Sequence, residues 1–287
     1  MKNLQISHLV AGTMTWGQWG KKLRTKEMVA LQHFYFEQGI TTFDHADIYG
    51  NHTTEADFGK AFAASGLDRE KVQFITKCGI QMVGKNRSHK VKHYNYSKEH
   101  IIKSVETSLE HLQTEYLDIL LLHRPSPLLD PKEVGETVNK LIETGKVKHF
   151  GVSNFTPTQT NLLSEYVPVE TNQIEFSLTT HEAMFDGTLD HMMLKKIKPM
   201  AWSPLGNYFK KQYPGLKQLM PNLCEKYKVE EDALLIAWIM KHPAAIVPVI
   251  GTTQPKRIKK AIEAKNIPLS LEDWFMMLEV VSGNPVP

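Results

Sequence analysis

Eight short strand-like stretches recur along this chain, each running into polar residues at its carboxyl end, and segments with helical spacing of apolar residues lie between them. The stretches are residues 9–14, 41–43, 72–76, 117–122, 148–152, 169–172, 199–201 and 245–250. Thr25 is placed to cap a helix whose Met28, Leu31, Phe34 and Phe36 fall roughly on one face. A helix is expected over 55–64, another after Ser97 with Ile101, Val105 and Leu109, and another from Pro131 to near Gly145. Later helices are expected over 233–240 and 256–264. Eight such units predict an α/β chain folded as a (β/α)8 TIM barrel, with the functional groups on the face formed by the carboxyl ends of the strands. Ser270-Leu271-Glu272-Asp273 reads as a capping-box start to one extra C-terminal helix. No low-complexity linker interrupts the alternation, so 1–287 is expected to form one domain.

Composition narrows the function. A formal net charge of +3 is too small to argue for nucleic acid, though it suits a local field that attracts a phosphorylated ligand. Two cysteines, Cys78 and Cys224, lie far apart, which indicates neither a disulfide scaffold nor a paired-cysteine metal site. No apolar run approaches membrane-spanning length, and no apolar segment of a signal peptide follows Met1-Lys2-Asn3. The expectation is a cytoplasmic protein with a small-molecule ligand, no nucleic acid, no membrane and no obligate protein partner.

Consecutive strand ends supply the chemistry. Thr41-Thr42-Phe43 has strand character and leads into Asp44 and Tyr49, with Gly50 permitting a turn. The next strand runs into Lys77 and the one after it into His123, where Pro125 enforces the exit. An ordinary tyrosine has a pKa of about 10. An ammonium beside it stabilises the phenolate and lowers that value, each unit needing only about 1.4 kcal/mol. Asp44 would hold the ammonium in place, Tyr49 would then serve as an acid toward a developing alkoxide, and His123 would orient the substrate oxygen. None of these groups carries electrons, so a reductase built on them needs a cofactor.

Asp44-x-Ala46-x-x-Tyr49-Gly50, Lys77 after a strand, Leu122-His123-x-Pro125, Gly151-Val152-Ser153-Asn154-Phe155 and Asn172-Gln173 together resemble the aldo-keto reductase superfamily, over nearly the whole chain from Gly12 onward. The wording Asp44-His45-Ala46-Asp47-Ile48-Tyr49-Gly50 is similar to that of a branch of bacterial oxidoreductases. The resemblance implies NADPH lying across the barrel mouth and reduction of an aldehyde or ketone. It implies Tyr49 as proton donor, Asp44 and Lys77 as its tuning pair, and His123 as the group that orients the carbonyl. Ser153, Asn154 and Gln173 would hydrogen-bond the nicotinamide carboxamide, and Trp202 would stack on the ring. The loop Ser203-Pro204-Leu205-Gly206 would run beside the pyrophosphate. Gly251, Thr252, Thr253 and Arg257 would meet the adenosine 2′-phosphate, Arg257 offering a planar fork of donors. No Gly-x-Gly-x-x-Gly fingerprint is present, and binding of this kind needs none.

Four positions depart from the pattern. Gly251 stands where many members have lysine, and Lys260 and Ala261 stand where many have glutamate and asparagine on the adenine. Arg124 replaces an aromatic residue often found after the histidine, which predicts a more polar substrate wall.

Taken singly, each residue has an ordinary reading: Asp44 as a turn former, Tyr49 and Trp202 as packing, Lys77 as a surface charge, Arg257 as a solvated helix charge. It is their co-occurrence at strand ends that favours a site. Trp16 and Trp19 either roof that site or pack over the barrel mouth, and the basic loop 85–93 is expected to be solvated. A barrel that binds the dinucleotide as a sensor with little turnover is the alternative. A metal reading of Asp44, His45, Asp47 and His123 is disfavoured, because the other strand ends offer Lys77, Ser153, Gln173 and Trp202.

Overall fold

The computed structural model describes residues 4–84 and 89–285. Eight strands form a closed parallel barrel: β1 Val10–Gly12, β2 Thr42–Asp44, β3 Gln73–Cys78, β4 Leu117–Leu122, β5 Val147–Ser153, β6 Thr171–Glu175, β7 Lys198–Trp202 and β8 Val247–Ile250. Each pairs with its neighbours in chain order, and β1 beside β8 closes the ring through Val10 opposite Val249. The expected (β/α)8 barrel is the fold.

Several strand ends lie later than their apolar residues suggest. Lys77 pairs with Leu121 inside β3, Gln173 pairs with Ser153 inside β6, and Asp44, Ser153 and Trp202 are or border the last residues of their strands. Ladder hydrogen bonds come from the backbone, so a polar side chain turned into the barrel does not end the strand. Conversely, β1 stops at Gly12, β6 begins only at Thr171, and β8 begins at Val247 because Ala245 has φ 52°.

The period of two explains where the polar side chains sit. Ile75, Leu121, Met200 and Val249 belong to an apolar layer that fills the barrel with Val10, Ile119 and Val247. Two residues further along the same faces come Lys77, His123, Trp202 and Gly251. The barrel is therefore plugged below by hydrocarbon and lined at its mouth by polar groups.

The helices close the outside. Thr25–Glu37 begins after Arg24, not after Thr25: Arg24 holds the N-cap position and its N–H donates to Glu27 at 2.8 Å. Ser97 caps Lys98–Leu112, and Asp130 precedes Pro131 at the start of Pro131–Glu143. The later helices run Glu231–Met240 and Pro255–Glu263. The extra helix is Leu271–Ser282, where Ser270 accepts from the Asp273 N–H at 3.1 Å. Only half of the expected capping box forms, because the Asp273 carboxylate is taken by Lys226 and Tyr227. No described helix is long and apolar enough to cross a membrane.

The two mouth tryptophans part company. Trp16 is fully buried against Tyr35, Phe43 and Phe58 and is packing, whereas Trp19 is partly exposed with its ring 6.1 Å from that of Tyr49. Part of the basic loop, 85–88, lies outside the described residues; Lys90 and Lys92 are exposed.

Candidate active site

The barrel mouth brings together the four side chains from β2, β3, β4 and the turn after β2. Tyr49 opens a short turn, Tyr49–His52, in which Gly50, Asn51 and His52 all have positive φ. A Cβ on Gly50 would come within 2.4 Å of Thr54 Oγ1, so the tight turn that aims Tyr49 inward needs glycine there. Tyr49 packs with Ala46, Ile48 and Ile80, the last from the short antiparallel pair Ile80–Gln81 and His93–Tyr94.

Lys77 is fully buried and fully occupied. Its Nζ lies 2.7 Å from both carboxylate oxygens of Asp44, 2.8 Å from the His45 carbonyl and 3.3 Å from the Tyr49 hydroxyl. Burial alone pulls its pKa down, but Asp44 and Tyr49 more than offset this and the net direction is upward. Tyr49 shows the opposite balance. Burial raises its pKa, Lys77 pulls against that without prevailing, and the phenol ends above its ordinary value. This corrects the expectation that the neighbouring ammonium would win: desolvation of a phenolate in a closed pocket is the larger effect.

His123 follows β4, its N–H donating to Cys78 O at 3.0 Å and its ring standing edge-on to Tyr49 at 6.1 Å. Burial, then the charges of Lys77, Arg124 and Lys92, push its pKa well below the ordinary histidine value, so the imidazole is neutral. Its Nδ1 is buried with no hydrogen-bond partner among the described residues.

Across the mouth, β5, β6 and β7 bring Ser153, Asn154, Gln173 and Trp202 into one network. Ser153 donates to Gln173 O at 2.8 Å, and Asn154 Nδ2 donates to Ser153 Oγ at 2.8 Å. The Trp202 indole donates to Asn154 Oδ1 at 3.0 Å. Gln173 Nε2 donates to Asp44 Oδ1 at 2.9 Å, a link to the acid that the sequence did not suggest. These bonds leave Gln173 Oε1 and one N–H on each of Gln173 and Asn154, a donor and acceptor set that fits a carboxamide.

A cleft of about 1240 Å³ opens beside Trp202 and runs outward between the ends of β7 and β8, lined by Ser203, Leu205, Gly251, Thr252 and Arg257 among others. Tyr49, Lys77, His123 and Trp202 do not line it. The Cβ position of Gly251 is open, and Arg257 Nε meets Asp232 Oδ2 at 3.4 Å. Thr252 lines the cleft while Thr253 does not; the Thr252 carbonyl accepts from Tyr35 at 2.6 Å. Lys260 also lines it, ion-paired with Glu230. The acids Glu230 and Asp232 went unread in the sequence, where Glu230-Glu231-Asp232 looks like an ordinary acidic helix start. Among the described residues no group of three or more His, Cys, Asp or Glu side chains could hold a metal ion.

The sequence profile of the Aldo/keto reductase family matches residues 8–281. The chain belongs to the aldo/keto reductase family. It is 41% identical to the uncharacterized oxidoreductase YcsN of Bacillus subtilis, covering 100% of this chain and 98% of that protein. It is 41% identical to a 6-dehydroglucose reductase of Agrobacterium fabrum over 87% of this chain and 86% of that one, and 36% identical to the oxidoreductase YdhF of Escherichia coli over 99% and 96%. Solved structures share the fold at lower identity. A glycerol dehydrogenase of Gluconobacter oxydans superposes with a TM-score of 0.85 at 21% identity, covering 98% of this chain and 94% of that one. The thermostable aldo-keto reductase Tm1743 gives 0.82 at 22%, covering 96% and 95%. This aldo/keto reductase is accordingly an NAD(P)H-dependent oxidoreductase of carbonyl compounds.

Proposed function

We propose that this aldo/keto reductase reduces aldehydes and ketones to alcohols with NADPH, Tyr49 delivering the proton to the carbonyl oxygen. The observation that carries the reading is the buried contact of Lys77 with both Tyr49 and Asp44, beside a neutral His123, at the mouth of the barrel. NADPH, when bound, supplies the hydride.

The chain's own residues divide the remaining work. Tyr49, whose pKa lies above its ordinary value, is fully protonated at neutral pH and so is a loaded donor. As the proton leaves, the Lys77 ammonium 3.3 Å away faces a growing phenolate charge. A unit pair at that separation is worth about 5 kcal/mol at an effective dielectric constant near 20. Asp44 takes part of this back while keeping the ammonium charged and fixed. His123 hydrogen-bonds the same carbonyl oxygen without adding a positive charge.

Ser153, Asn154 and Gln173 hold the carboxamide end and Trp202 supplies a flat face. Ser203 and Leu205 border the pyrophosphate path. Gly251, Thr252 and Arg257 receive the 2′-phosphate, with Thr253 contributing only its backbone neighbourhood. The test is aldehyde-dependent loss of NADPH absorbance by purified protein. Binding of NADPH without turnover of any aldehyde or ketone would overturn the proposal in favour of a sensor.

A further inference from the structure

Arg124, at the barrel mouth, is answered by no acid among the described residues. Of the described arginines, Arg24 meets Glu27, Arg69 meets Asp118 and Arg257 meets Asp232. Arg124 has no carboxylate within ion-pair distance among the described residues; the contact of its guanidinium is with the Trp202 ring, 5.2 Å from the centroid. Its backbone is held on both sides by one hydroxyl: Tyr96 donates to Arg124 O at 2.5 Å and accepts from Arg124 N at 3.1 Å. The residue thus leaves β4 directly after His123, half-buried at the mouth.

Proximity to the reacting groups has an electrostatic signature. The Arg124 charge acts on both His123 and Tyr49, lowering the pKa of each, and the exposed Lys92 adds to the field at His123. Lys77 cannot serve an incoming anion, since Asp44 already occupies it on two sides. A guanidinium that meets a ring and no carboxylate keeps its N–H groups available as a planar fork, which matches a carboxylate in bidentate geometry.

We propose that Arg124 forms an anion subsite, so that the preferred substrates are oxo acids: carbonyl compounds carrying a carboxylate a few bonds from the reacting carbon. The inference rests on the carbonyl-reductase reading above and names the substrate class of that site.

The test compares ω-oxo acids of three to six carbons with n-alkanals of equal length. For at least one length, the oxo acid should exceed its alkanal in kcat/KM by about tenfold or more, mainly through KM, with the preference falling as salt is added. Arg124→Gln should bring that ratio close to one, and Arg124→Lys, which keeps the charge but not the fork, should retain part of it. NADPH affinity measured in parallel separates loss of the subsite from a disturbed Trp202. A ratio near one at every length in the native protein, or a preference that survives Arg124→Gln, overturns the inference. Turnover of alkanals with no such preference sinks it alone, whereas failure to oxidise NADPH with any carbonyl sinks the broader reading. Tryptophan fluorescence titration with the non-reacting ω-hydroxy acids and matching alcohols gives the same comparison by binding, so the subsite is tested in either case.

Discussion

The amide of Gln173, on β6, donates to Oδ1 of Asp44, on β2, at 2.9 Å across the barrel. These strands face each other in the eight-membered ring, and the two residues are 129 apart in sequence. One hydrogen bond therefore joins the wall proposed to hold the nicotinamide to the carboxylate that holds Lys77. Fixing the position of Gln173 also fixes one oxygen of Asp44, leaving the Lys77 ammonium a rigid partner for Tyr49.

Tyr49→Phe removes the proposed proton donor but keeps the ring that packs on Ala46, Ile48 and Ile80. Turnover of an aldehyde should fall by roughly 100- to 10,000-fold, while NADPH binding followed by nicotinamide fluorescence changes little. Near-native turnover in this variant would discard Tyr49 as the acid.

His123 should remain uncharged through the neutral range. Burial and three nearby cations hold its pKa well below the ordinary value. Imidazole carbon and nitrogen NMR shifts should stay at neutral-ring values from about pH 6 to 8. A titration centred in that window would contradict the described pocket.

Arg257→Ala should weaken NADPH about tenfold or more and NADH much less, because the guanidinium is the group proposed to receive a 2′-phosphate. Asp232, at 3.4 Å, would be left in the cleft without its partner. Dissociation constants for both cofactors decide the matter, and an equal loss for the two would remove the phosphate role.

Glu55 gives a stability signature. It is buried, accepts hydrogen bonds from Thr76 and Ser108, and burial pushes its pKa from 4.5 up to about 7 despite Lys77 nearby. A carboxyl whose folded pKa exceeds its unfolded one contributes stability that is complete below the unfolded value and is lost as pH rises through the folded one. The loss amounts to roughly 3 kcal/mol at most over that interval. Glu55→Gln should therefore have a Tm above that of the native protein at pH 8, with the advantage shrinking toward pH 5. A variant less stable by the same margin at both pH values would show that the carboxyl is charged in the fold.

Sequence alone determined the architecture and named the candidate residues at the barrel mouth. Eight apolar runs with polar ends are a local pattern, set by propensity and the period of two, and the residues following Ile75, Leu121 and Met200 by two positions could be read as mouth residues once the strands were recognised. The tertiary structure decided everything that depends on distance between strands. It buried Trp16 and left Trp19 beside Tyr49, gave Asp232 and Glu230 to Arg257 and Lys260, and tied Gln173 to Asp44. It also decided the direction of the Tyr49 pKa, because the cost of removing a phenolate from water depends on how completely the pocket closes and has no counterpart in residue order.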